Sequence, residues 1–196
     1  MEEIYKIITQ RRTIRRFKPK KIPLNILKKL VNCARLAPSA GNLQVLEYII
    51  VNDKKLCAKI FPYLRWAVYI HPKGVPPPEK RPSAYIVVLV DMKKANQEYF
   101  AYDVGAAVEN ILLFAYSLGI GSCWMKSIQR EKIASLLKVP SHIMVDSVIS
   151  LGFKDELPVI EEFKDSHQYW KDEKQTLHVP KRALKDILHY NYYRKR

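Results

Sequence analysis

Hydrophobic positions return at helical intervals through the first part of the chain. Ile4, Ile7 and Ile8 share one side of residues 2–10, which predicts a short helix that delivers the chain to Arg11. From about Pro23, tolerated at a first helical position, Leu27, Leu30, Val31 and Ala34 recur with three-and-four spacing. This predicts a second helix with a buried face, ending before Pro38. Leu46 to Val51 is a compact β-prone run, and Asp53 supplies a cap for a short helix after it. The almost entirely apolar stretch Tyr85-Ile86-Val87-Val88-Leu89-Val90 predicts a strand in a sheet covered on both faces.

Residues 97–118 predict a long helix that is apolar around most of its circumference after Asp103, through Val104, Ala107, Val108, Ile111, Leu112, Phe114 and Ala115. Such a helix is expected to be buried on every side, in the core or at a subunit interface. Gly105, Ala106 and Ala107 give it a face that admits another helix, and Gly119 stops it. Strands near 122–126 and 144–151, a helix at 130–137 and a last helix at about 183–189 complete an α+β alternation in one domain. Between 62 and 82 the pattern breaks. Pro72, Pro76, Pro77, Pro78 and Pro82 predict a long, stiff loop, and Tyr63, Trp66 and Tyr69 within it offer an apolar wall for a flat substrate.

Composition narrows the function classes. A chain of 196 residues that is 48% hydrophobic suits one domain with a substantial core. The net charge of +15 raises nucleic-acid binding as a question. Its basic residues are spread from Lys6 to Arg196 without a recognisable nucleic-acid motif, so no nucleic-acid partner is expected, and steering of an anionic cofactor or substrate explains part of the excess. The tail Tyr192-Tyr193-Arg194-Lys195-Arg196 reads as a frayed basic end. Three cysteines without Cys-x-x-Cys spacing point to a reducing cytoplasm and no disulfide framework. The acidic start and the lack of any apolar run near ~18 residues predict neither a secretory signal nor a membrane span. No metal is expected, because the five histidines lack ligand spacing. Without Gly-x-Gly-x-x-Gly or a Walker loop, neither a Rossmann nicotinamide domain nor a P-loop nucleotide hydrolase is expected.

The candidate chemistry lies in two neighbouring motifs. Arg11-Arg12-Thr13-Ile14-Arg15-Arg16-Phe17 offers forked donors to phosphate. Ala37-Pro38-Ser39-Ala40-Gly41-Asn42-Leu43-Gln44 offers hydroxyls and amides that read heteroatoms on a ring or sugar. In this order near the N-terminus they resemble the nitroreductase family of flavin mononucleotide (FMN) enzymes. The resemblance resumes at 103–113, at Gly119-Ile120-Gly121-Ser122-Cys123-Trp124, at Leu151-Gly152-Phe153 and at Val179-Pro180-Lys181-Arg182. It implies a central, mainly antiparallel sheet flanked by helices, in an interlocked homodimer with a flavin at each of two interface sites.

The resemblance also implies roles. Arg11, Arg12 and Thr13 bind phosphate and ribityl groups, and Arg15 sits near flavin N1 and O2 as an electronic tuner. Pro38, Ser39, Ala40, Asn42 and Gln44 reach the flavin of the other subunit, with Val45-Leu46 in place of the frequent Pro-Trp. Cys123, Trp124, Met125 and Lys126 lie along the ring, where a backbone N–H meets N5, and Lys181 and Arg182 close on the phosphate. Arg16 and Lys18 are read as part of a surface salt-bridge cluster. NAD(P)H is then a visiting electron donor, and a nitroaromatic, a quinone or another electron-poor small molecule is the acceptor, in ping-pong turnover. No side-chain catalyst is required. A flavin-carrying binding or regulatory protein without turnover is the alternative.

Overall fold

Along Ala84–Asp91, buried at every position, Ile86, Val88 and Val90 enter one hydrophobic cluster while Tyr85, Val87 and Leu89 enter another. Successive side chains of a strand must diverge in this way. A computed structural model describing residues 2–193 places this strand inside a four-stranded sheet with helices on both faces. The elements in chain order are α1 (Glu2–Gln10), α2 (Leu24–Arg35), β1 (Leu46–Val51), α3 (Lys54–Ile60), β2 (Ala84–Asp91), α4 (Phe100–Ser117), β3 (Ile120–Met125), α5 (Arg130–Leu137) and β4 (Ile143–Phe153), then three short strands, β5 (Val159–Glu162), β6 (Trp170–Lys171) and β7 (Leu177–Lys181). The main sheet runs β1-β2-β4-β3 with every neighbour antiparallel. This is the sheet the family resemblance implies.

The first cluster joins one sheet face to Leu27, Leu30 and Ala34 of α2 and to Val104, Val108, Ile111 and Ala115 of α4. The second joins the other face to Cys57 and Ile60 of α3, Ile133 of α5 and the segment from Phe61 to Trp66. α3 begins as expected, with the Asp53 carboxylate accepting the Leu56 N–H at 2.8 Å.

Three expectations need correction. The long helix begins at Phe100 rather than near residue 97; within the single chain Gly105, Ala106, Glu109, Asn110, Leu113 and Phe114 are half-buried, and a Cβ on Gly105 would meet nothing within 4 Å. The last helix is reduced to a 3-10 turn, Leu184–Asp186. Its apolar residues Leu184, Ile187 and Leu188 are exposed, and a short helix with nothing to pack against is marginal. Finally, Trp66 is not a loop wall. It is 3% exposed and stacks on Phe61 in the second cluster, with ring centroids 5.5 Å apart. Tyr63 is half-buried and Tyr69 is exposed.

The small sheet β5-β7-β6 is an addition that the pattern did not predict. Residues 194–196 of the basic tail lie outside the described residues.

Candidate functional site

The arginine motif is laid across the open end of the main sheet. Gly121 of β3 and Gly152 of β4 are direct cross-strand partners. A Cβ on Gly121 would come within 2.7 Å of Ile14, and one on Gly152 within 2.7 Å of Phe17. This pair of missing side chains is the trough in which Ile14 and Phe17 are buried. Backbone hydrogen bonds fasten the segment on both sides: the Ile14 N–H donates to Ser122 O at 2.9 Å, the Lys18 N–H to Phe153 O at 2.8 Å and the Asp155 N–H to Arg16 O at 3.0 Å. With Ile14 and Phe17 inward, Arg11, Arg12, Thr13 and Arg15 remain half-buried at the rim.

A second fastening was not visible in the sequence. One oxygen of Glu156, Oε1, accepts the backbone N–H groups of both Arg15 and Arg16, the latter at 3.2 Å. Its other oxygen faces the Lys171 ammonium at 3.5 Å, with the two side chains 7% and 5% exposed. Burial lowers the Lys171 pKa, and the Glu156 carboxylate opposes that shift. Tyr169 completes the cluster, its ring centroid 4.8 Å from the Arg15 guanidinium carbon. The only hint in the sequence was the position of Glu156, just behind the Leu151-Gly152-Phe153 match.

The arginines themselves are incompletely satisfied. The Nε atoms of Arg11, Arg12 and Arg15 are all buried without a hydrogen-bond acceptor. Arg11 Nε stands 3.2 Å from Glu109 Oε1 as an ion pair, without hydrogen-bond geometry. Arg12 folds back to donate to the carbonyls of Arg11 and Thr9 near the end of α1. Burial lowers the Arg12 pKa, and the positive charge of Arg11 lowers it further. Buried donors left without acceptors are costly, so three on one short segment fit an anion rich in acceptor oxygens.

The turn of small residues is built by left-handed backbone at Gly41, Asn42 and Gln44, with φ of 57°, 53° and 50°. Ser39 Oγ accepts the Gln44 N–H at 3.2 Å, and Asp103 of α4 accepts the Ala40 N–H at 2.9 Å. Pro38, Asn42 and Gln44 are exposed, while Ser39 and Ala40 are half-buried. Among the described residues, no hydrogen bond, ion pair or ring contact joins this turn to residues 11–15 of the same chain.

Along β3, Cys123 and Met125 point into the second cluster and Trp124 points outward, 37% exposed. Only backbone of the two buried residues can face a ligand. Burial raises the Cys123 thiol pKa, with Arg15 opposing, so this thiol is a packed group rather than a nucleophile. Lys126 is tied to the buried Asp146 at 2.9 Å. Lys181 ends β7 exposed, and Arg182 donates to Asp186 O at 2.7 Å. No such bond joins either to residues 11–15 among the described residues.

A cavity of about 630 Å³, lined by Asp53, Cys57, Phe61, Arg81 and Tyr85 among others, lies elsewhere and contains none of these residues. Among the described residues no group of His, Cys, Asp or Glu could hold a metal, and no helix is long and apolar enough to cross a membrane.

Comparison with known proteins gives the family of the chain. Residues 8–153 match the model of the nitroreductase family. A protein of Archaeoglobus fulgidus named "Putative NADH dehydrogenase/NAD(P)H nitroreductase" is 38% identical over 163 residues, 80% of this chain and 88% of its own length. One of the same name from Methanothermobacter thermautotrophicus is 29% identical over 160 residues, 80% of each chain. The structure of an FMN-dependent nitroreductase from Clostridium difficile R20291 superposes with a TM-score of 0.69 at 26% identity, covering 96% of this chain and 99% of the other. The chain belongs to the nitroreductase family and is, by that membership, an oxidoreductase.

Proposed function

We propose that the protein is an FMN-dependent oxidoreductase that passes electrons from NAD(P)H to an electron-poor small molecule, such as a nitroaromatic or a quinone, by a ping-pong mechanism. The observation that carries this reading is the set of three buried Nε donors without a hydrogen-bond acceptor at Arg11, Arg12 and Arg15, of which, among the described residues, Arg11 alone has an ion-pair partner, Glu109. The family, and the names of the relatives from Archaeoglobus fulgidus and Clostridium difficile, support it. FMN, when bound, supplies reversible two-electron chemistry at N5.

The chain's own residues do the rest. Arg11, Arg12 and Thr13 hold the phosphate and ribityl groups, and a phosphate beside them relieves the repulsion between the two guanidinium groups. Lys181 and Arg182 close on the same phosphate. Arg15 is a fixed cation near N1 and O2, where it favours negative charge on the reduced ring and raises the potential. The β3 backbone from Cys123 to Lys126 offers the N–H for N5, a role that suits the buried side chains of Cys123 and Met125.

In this reading the active form is a homodimer, as is common in the family. Pro38, Ser39, Ala40, Asn42 and Gln44 serve the flavin of the other copy, consistent with the absence, among the described residues, of bonds from them to residues 11–15 of the same chain. The exposed Ile4, Tyr5 and Ile8 of α1 and the open space at Gly105 of α4 support a second copy. The three free thiols support a cytoplasmic setting. Steady-state NAD(P)H oxidation with varied acceptor tests the reading: parallel double-reciprocal lines are expected, and the absence of nicotinamide-dependent turnover in flavin-loaded protein contradicts it.

A further inference from the structure

Three segments distant in sequence meet at the ring of Tyr169. This residue lies between β5 and β6 and is half-buried. The Arg15 guanidinium stands over its ring at 4.8 Å, within the range of a cation–π contact. Tyr69, from the proline-rich loop, meets the same residue edge-on, with centroids 5.1 Å apart and planes at 66°. The Tyr69 hydroxyl is 3.3 Å from His167 Nε2, and the two rings also meet edge-on at 5.8 Å.

These contacts divide the restraint of Arg15 into two parts. Glu156 fixes its backbone through the N–H groups of Arg15 and Arg16, but leaves the rotatable bonds of the side chain free. The Tyr169 face restrains the guanidinium itself, while the buried Arg15 Nε keeps a donor without an acceptor. Tyr69 in turn braces the edge of Tyr169. A movement of the loop therefore reaches the cation through one intervening ring.

We infer that Tyr169 is the positioning residue of Arg15 and that Tyr69 ties the 62–82 loop to it, so that the loop acts on the potential of the flavin as well as on access of the acceptor. The inference rests on the FMN reading above. Tyr169 touches Arg15 rather than the reacting atoms, so its effect is read in the potential and in the freedom of Arg15.

The test is the two-electron midpoint potential of FMN-reconstituted wild type, Tyr169→Leu, Tyr169→Phe, Tyr69→Leu and Arg15→Ala. Tyr169→Leu is expected to retain FMN and to weaken binding of the reduced relative to the oxidised form about tenfold, a fall of about 30 mV for a two-electron couple. Tyr169→Phe keeps the ring and restores the wild-type value. Tyr69→Leu moves the potential in the same direction by about half as much. In an Arg15→Ala background Tyr169→Leu adds nothing further. A wild-type potential in Tyr169→Leu overturns the inference, as does an equal fall in the Arg15→Ala background.

Tyr69 lies further out at the surface, so Tyr69→Leu carries the same test if Tyr169→Leu does not fold. A readout without cofactor separates the two levels of the account. The Arg15 Nε–H resonance of cofactor-free protein is expected to carry a ring-current shift that disappears in Tyr169→Leu and persists in Tyr169→Phe; an unchanged resonance overturns the positioning role. Failure of wild type to bind FMN overturns the flavin reading and the effect on potential with it, whatever that resonance shows.

Discussion

Gly121 and Gly152 face each other across β3 and β4, and together they leave the space that Ile14 and Phe17 fill. A methyl group at either position collides with a buried side chain at 2.7 Å, in the case of Gly152 with the Cβ of Phe17 itself. That atom cannot move without its backbone. Gly152→Ala is therefore expected to destabilise the fold by about 1–3 kcal/mol and to loosen the arginine segment. Chemical denaturation of the variant checks this, and wild-type stability would remove the trough from the account.

Glu156 and Lys171 form a nearly buried pair, and Glu156 also holds two backbone N–H groups. Glu156→Ala strands the Lys171 ammonium and is expected to cost roughly 3–5 kcal/mol. Replacing both residues with Met removes the uncompensated charge and should recover much of that loss, although the Arg15 and Arg16 N–H groups stay unpaired. Equilibrium unfolding of the single and double variants measures the difference. Equal stability of the two would show that the charge pair is not what Glu156 contributes.

The small sheet has its own pH dependence. His178 of β7 lies between Glu161 of β5, 2.5 Å from Nδ1, and Asp172, 3.3 Å from Nε2, and it stacks on Trp170 with centroids 4.1 Å apart. Burial opposes the imidazolium, but the two carboxylates together outweigh it and raise the His178 pKa above 6.5. The stabilisation is fully present below about pH 6.5, the value in the unfolded chain, and is lost as pH rises through the raised folded value. Amide exchange in β7 should quicken across that window in wild type, beyond the intrinsic pH effect, and not in His178→Gln. An identical pH response in both would exclude His178 as the source.

On the proposed reading, the arginines separate holding from tuning. Arg11→Ala is expected to weaken FMN retention by roughly 1.5–3 kcal/mol, the worth of a charge-assisted hydrogen bond, with little change in potential. Arg15→Ala should retain FMN and lower the potential. Equilibrium dialysis and redox titration of the two variants check the division, and an unchanged potential in Arg15→Ala would contradict it.

Legibility in the sequence followed burial. β2 showed its unbroken apolar run and α2 its helical periodicity because neighbouring layers cover them, and the Asp53 cap was readable as local chemistry. The small sheet was not readable. Its strands have two to five residues, and Val159 and Ile160 are exposed, so no alternation marks them. The last helix failed for the converse reason, since Leu184, Ile187 and Leu188 have helical spacing but stay exposed among the described residues. In the candidate site, Arg11 to Arg15 stood out by residue type. Glu156, Lys171 and Tyr169 did not, because a carboxylate, an ammonium and a ring acquire their roles only when the fold brings residues from the far end of the chain to Arg15 and Arg16.

The central claim is that the arginine segment holds FMN. The most direct measurement is the visible absorption spectrum of the purified protein, before and after incubation with saturating FMN and gel filtration, with the bound cofactor extracted and identified by chromatography. The account predicts a yellow protein with one FMN per chain, lost in large part in Arg11→Ala. A colourless protein after saturation, or one that carries FAD instead, would contradict it.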